Sequence, residues 1–205
     1  MRAQRIFLLL IVLSACTRDD GPLPPPHFGP LDRQPSSTWN VKPATGISLG
    51  SLRVVFERTD LVTVRNVAGT GLIDGDASEE WLCYMIAGSP PTRLWIVSRG
   101  QITGVTAVRQ ARGVGATKHC PLLPISLSPV AFDQGVAVGM RSAEVAAKLG
   151  DPSMKWKDWW VYHHASTVFS GVPGASVGMP IVSTLYVRIK DGAADAIVAS
   201  LRSSF

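Results

Sequence analysis

Apolar and polar side chains alternate along residues 184–190, with Leu185, Val187 and Ile189 set against Tyr186, Arg188 and Lys190. This is the period of a strand with one buried face. The following "KDG" predicts a tight turn into a second strand, "ADAIVASL". Residues 142–149 follow a different period: Ala143, Val145, Ala146, Ala147 and Leu149 keep helical spacing, Ser142 stands at the N-cap position, and Gly150 with Pro152 supplies the stop. Between these segments, "DWWVYHH" splits by direction into Trp159, Val161 and His163 on one face and Trp160, Tyr162 and His164 on the other. The first, more apolar set is expected to meet the helix. The second is expected to share an open sheet face with Tyr186, Arg188 and Lys190.

A comparable order occurs earlier in the chain. "ISLGSLRVVFERTDL", "EEWLCYMI" and "TRLWIVSRGQITGVTAVRQ" run parallel to "VAVGMRSAEVAAKLGDP", "KDWWVYHH" and "STLYVRIKDGAADAIVASLRS". Trp81 and Tyr84 match Trp159 and Tyr162, Leu94-Trp95 match Leu185-Tyr186, and Gly100 matches Gly192. The expected fold class is therefore α+β, with two tandem modules, each a short helix packed on a small antiparallel sheet. They would occupy 46–110 and 131–205, with a linker at 111–130. The duplication would add Tyr84, Trp95 and Arg99 to the open face.

The N-terminus has another character. Arg2 and Arg5 precede the apolar run "IFLLLIVL", which is too short to span a bilayer and has the anatomy of a signal peptide over residues 1–15. The run closes on "LSAC" (Leu13–Cys16), which resembles the bacterial lipobox. That resemblance implies that Cys16 becomes the first mature residue and carries acyl chains, and that Thr17, where an Asp would favour inner-membrane retention, directs the protein to the outer membrane. Residues 16–45 contain "TRDDGPLPPPHFGPLDRQPSS", whose six prolines and lack of any helical or strand period predict an extended tether. Pro24–Pro26 could also serve a proline-recognition domain, but composition favours a spacer.

Charge and cysteines narrow the function classes. The formal charge of +5 falls to about +3 once Arg2 and Arg5 are removed, too little to argue for nucleic acid. In an exported chain the remaining pair, Cys83 and Cys120, is expected to form a disulfide worth roughly 3 to 4 kcal/mol by loop closure. The competing metal site of Cys83, Cys120, His119, His163 and His164 lacks any C-x-x-C or H-x-x-x-H spacing.

Enzyme motifs fail on context. "GASVG" (174–178) fits G-x-S-x-G, yet Pro173 precedes it, Met179-Pro180 follows, and no His lies downstream of His164. "DGDASEE" spaces Asp74, Asp76, Ser78 and Glu80 like a calcium loop but has Met85 where the twelfth-position Glu belongs, so a solvated acidic turn is expected. "AGTGLIDG" is followed by no helix to hold a phosphate. Asp158, Asp191 and Asp195 stand at strand ends and turns with no convergent second acid.

"VAVGMRSAEVAAKLGDPS" (136–153) resembles the opening motif of the small outer-membrane lipoprotein domain typified by BamE (SmpA, OmlA), and the duplicated order resembles the tandem modules of the β-lactamase inhibitor protein. The first half keeps Gly50 but lacks the L-G-x-P close, and "RTDLVTVRNVAGTGLIDGDAS" stands there as a longer loop. The resemblance implies a protein-binding scaffold without catalytic residues or cofactors. An aromatic face interleaved with Arg and Lys has hot-spot composition. The partner-binding set is then Trp160, Tyr162, His164, Tyr186, Arg188, Lys190, Tyr84, Trp95 and Arg99. The expected function is a lipid-anchored envelope protein that binds a protein partner. The alternative is a cell-wall glycan binder or modifier, with the aromatics stacking on sugar rings.

Overall fold

The computed structural model describes residues 24–25, 43–100, 104–113, 115–168 and 179–203. The signal segment, Cys16 and the "GASVG" loop lie outside the described residues.

Among the described residues the first elements are a hairpin, β1 (Gly46–Leu49) and β2 (Leu52–Val55), followed by helix α1 (Leu61–Ala68). Strands β3 (Asp74–Gly75), β4 (Glu79–Ile86), β5 (Thr92–Arg99) and β6 (Ala107–Arg112) come next. A 3-10 turn at Ile125–Leu127 leads to β7 (Val130–Phe132) and helix α2 (Ser142–Leu149). The chain ends with β8 (Met154–Trp156), β9 (Trp159–Val168), β10 (Met179–Lys190) and β11 (Ala193–Ser203).

Local chemistry accounts for the helix ends and the main turn. Asp60 caps α1 by accepting from the Thr63 N–H at 2.5 Å, and Gly69 closes the helix with a left-handed backbone. In α2 the Arg141 N–H donates to the Glu144 carboxylate at 2.9 Å, so Ser142 is the first helical residue rather than the cap. Val145 and Leu149 form the buried stripe of α2. Asp191 and Gly192 both take positive φ, the primed geometry that joins β10 to β11 without splaying them.

The tandem-module expectation is overturned by the sheet. The fold is mostly β: eight antiparallel strands form one continuous sheet in the order β3-β4-β5-β6-β11-β10-β9-β8, and a separate three-stranded sheet has the order β2-β1-β7. β6 and β11 pair from Ala107↔Ser200 to Ala111↔Ala196, so strands from the two halves of the sequence share a ladder at the sheet's centre. Two small sheets would each leave an unpaired edge; direct pairing removes both edges. The helices contribute only two turns each, too little to cover eight strands.

The three-stranded sheet supplies the remaining cover. Ile47, Leu49, Val54 and Phe132 from that sheet join Leu61 and Val64 of α1, Val145 and Leu149 of α2, and Tyr84, Leu94, Ile96, Leu185, Val187 and Ile197 of the large sheet in one core. The Ser183 hydroxyl donates to the Ala44 carbonyl at 2.9 Å, and Ser203 donates through its N–H and its hydroxyl to Glu57, tying the layers together. A second apolar cluster lies on the opposite face, including Cys83, Trp95, Val97, Trp159, Val161, Tyr186 and Val198. Ile96, Val97, Ile197 and Val198 are all buried, so the central strands have no solvated face.

Candidate binding face

Strand register builds the second face row by row. One row crosses seven strands: Cys83, Trp95, Arg109, Val198, Tyr186, Val161 and Met154. The row beside it contains Arg93, Ala111, Ala196, Arg188, Trp159 and Trp156; the row on the other side contains Trp81, Val97, Ala107, Ser200, Thr184 and His163. Neighbouring strands lie about 4.8 Å apart. The side chains of β6 and β11 are mostly small (Ala107, Ala111, Ala196, Val198, Ser200), whereas β4, β5, β8, β9 and β10 bear the rings. Small side chains thus lie between two sets of rings, with Arg109, itself buried, among them.

The walls are organised by ring packing and ion pairs. Trp159 meets Tyr186 edge to face at 6.5 Å between centroids, and the Arg188 guanidinium lies 5.5 Å from the Trp159 ring centre. Arg188 also donates in bidentate fashion to Asp195 at 2.6 and 2.8 Å. Glu79 accepts from Arg99 and, at 3.3 Å, from Arg109. Burial pushes the Arg109 pKa down, partly opposed by Glu79. Burial likewise raises the Tyr186 phenol, and burial with the neighbouring His164 lowers His163.

Among the described residues, two stretches meet this face from outside the sheet. The Cys83–Cys120 disulfide draws residues 117–123 against β4, where the Met85 N–H donates to Pro121 and the Leu123 N–H donates to Met85, each at 2.7 Å. His119 reaches Asp74 at 3.1 Å on the same side. The second is Pro25, which is buried and whose carbonyl accepts from Arg109 Nη1 at 3.2 Å.

The nine residues expected to share one open face divide between two. Tyr186, Arg188, Trp95 and Arg99 belong to this one. Tyr84, Trp160 and Tyr162 lie on the helix side, paired with Leu94, Val187 and Leu185, and His164 has the same phase opposite Ser183. Lys190 is exposed at the β10–β11 turn. The inversion of β9 has a physical cause. Tyr162 is fully buried over α2, with its hydroxyl directed at the Gly150 carbonyl, because a long ring can fill the deep space beyond a two-turn helix that Val161 could not. The face is also not open, since Trp95, Trp159 and Tyr186 are each less than a tenth exposed.

Arg109, Trp81, Glu79 and Trp159 were not expected here. The alternation Ala107, Arg109, Ala111 against Val108, Gln110 was the available signal for the phase of Arg109. Among the described residues no three His, Cys, Asp or Glu side chains converge as a metal site would require, and no helix is long and apolar enough to cross a membrane. Comparison with protein-family models, curated proteins and solved structures finds no match for this chain.

Proposed function

We propose that this is an exported, lipid-anchored binding protein of the bacterial envelope, held at the outer membrane through Cys16, and that it engages a protein partner without catalysis. The binding surface is the rim of this face, where Arg99 and Arg188 reach solvent beside the buried rings of Trp95 and Tyr186. One observation carries the reading: large rings and arginines converge on one face around a floor of small side chains, the composition of an interface core. The acids on this face support binding over catalysis, because Glu79 is held by Arg99 and Arg109, and Asp195 by Arg188. Neither carboxylate is placed to trade protons with a substrate. The charged start, the short apolar run and "LSAC" support the anchor.

A photo-crosslinking amino acid placed at Arg99 or Arg188 in living cells tests the surface. One envelope protein should be trapped from both positions and not from Val62, which is exposed on α1. Equal trapping from Val62, or recovery only on purified cell wall, rejects the proposal. Incorporation of labelled palmitate by the wild type and not by Cys16→Ala tests the anchor.

A further inference from the structure

The start of β6 opens a cleft at one end of the face. Val97 on β5 pairs with Ala107, and Ala107 pairs with Ser200 on β11, so the three strands are joined up to that row. One row further, the chain of β6 lies outside the sheet. Val105 donates its N–H to the Thr59 carbonyl and accepts from the Glu57 N–H, each at 2.7 Å, and its side chain is buried in the first core. Gly104 permits this path, because a Cβ there would collide with the Glu57 backbone. Continuing the register, Arg99 on β5 and Arg202 on β11 face each other across the gap that β6 leaves, two strand spacings or about 10 Å apart at the backbone. The space between them is a cleft of about 390 Å³, lined in part by Thr106, Ala107 and Ser200 as well as the two arginines.

The cleft holds donors that the fold does not use. Arg202 is exposed, and its guanidinium has no partner among the described residues. Arg99 gives only Nε to Glu79, which leaves both of its Nη groups, and the Ser200 hydroxyl also lacks a partner among the described residues. The nearby carboxylates are taken. Glu79 is shared by Arg99 and Arg109, and Glu57 accepts from Ser203, which has the opposite phase to Arg202 on β11. Asp60, Asp76 and Glu80 line a second cleft that shares only Gly100 with this one, and Asp60 and Asp76 accept hydrogen bonds within their own turns. Two guanidinium groups carried by paired strands, with a hydroxyl between them and a methyl floor at Ala107, suit a planar anion that accepts from both sides. We infer that the cleft seats a carboxylate of the protein partner, the side chain of an Asp or Glu, between Arg99 and Arg202. The inference rests on the proposed binding role of this rim and names the chemistry that the partner brings to it. Continuity with the rim, through Arg99, favours a protein carboxylate over a free phosphate.

The test is titration calorimetry on the full chain in micelles of uncharged detergent, with a blocked peptide made only of glutamates as the probe and inorganic phosphate as its rival. The glutamate peptide should bind the wild type. Arg202→Gln should weaken it about tenfold, the loss of one charge-assisted contact, and Arg202→Lys, which keeps the charge and loses the fork, should fall between. Lys148→Gln removes an exposed charge from α2, away from the cleft, and should change the affinity by less than roughly twofold. Because Arg202 is exposed, its variants should melt with the wild type. In cells, a photo-crosslinker at Arg188, which does not line the cleft, should trap about tenfold less partner when Arg202→Glu is added. No binding of the peptide to the wild type, equal affinity for Arg202→Gln, or an equal loss in Lys148→Gln overturns the site. Phosphate that binds more tightly than the peptide, with the same dependence on Arg202, overturns the carboxylate. If the peptide arms fail while the Arg188 crosslinks persist undiminished in Arg202→Glu, the rim binds its partner by other chemistry and only this inference falls. If the wild type traps nothing from Arg188 or Arg99, the proposed function falls, and the partner's carboxylate with it.

Discussion

Asp133 joins strands that are far apart in sequence. One carboxylate oxygen pairs with Arg53 of β2 at 2.5 Å, and the other accepts from the Thr45 N–H at 3.0 Å and the Thr45 hydroxyl at 2.9 Å. Burial pushes the Asp133 pKa upward, but the Arg53 and Thr45 hydrogen bonds outweigh it, and the net shift is below the ordinary value of 3.8. Because the folded state holds the ionised form more tightly, this group stabilises the fold above that value. The contribution is lost as pH falls through the lower, folded-state pKa. Asp133→Asn should therefore be less stable than the wild type at neutral pH, by about 1 to 3 kcal/mol for a partly buried charged hydrogen bond. The gap should close on acidification below pH 3.8. Urea unfolding at a series of pH values checks this; a gap independent of pH would mean that the carboxylate's charge plays no part.

At the scale of elements, β9 shows where the sequence was legible and where it was not. Alternation correctly separated Trp159, Val161 and His163 from Trp160, Tyr162 and His164, and the helix over 142–149 and the turn at 190–193 were readable from side chains alone, though the N-cap fell one residue early, at Arg141. Which set met the helix was not readable, because both faces of the strand are covered and hydrophobicity no longer distinguishes inside from outside. The same double burial hid the role of Arg109, which in mid-strand looks like a solvated residue until its carboxylate and carbonyl partners, 30 and 84 residues away, are known. α1 was missed for a local reason. Its eight residues include Val62, Thr63, Val64 and Val67, β-branched side chains that weaken helical propensity, and the Asp60 cap and the core contacts of Leu61 and Val64 make up the difference. The phase of β9 gives a direct prediction. Tyr162→Ala should destabilise the protein by about 3 to 5 kcal/mol, as removal of a fully buried ring does. Lys155→Ala, on the same face across β8 but exposed, should stay within about 0.5 kcal/mol. Thermal melts decide it, and a Tyr162→Ala protein as stable as the Lys155 variant would restore the opposite phase.

At the scale of the whole molecule, the ladder between β6 and β11 joins strands from the two halves of the sequence into one sheet, and the core on its helix side draws on both helices and on the three-stranded sheet. Loss of packing in one half therefore removes the pairing edge and part of the cover of the other, so the halves should unfold together. Ile197→Ala, fully buried on the shared ladder, should cost about 2 to 5 kcal/mol. Thermal unfolding of both the wild type and this variant should remain a single transition, coincident by tryptophan emission and by far-ultraviolet circular dichroism. Two separated transitions would show that the halves fold as independent units in spite of the shared ladder.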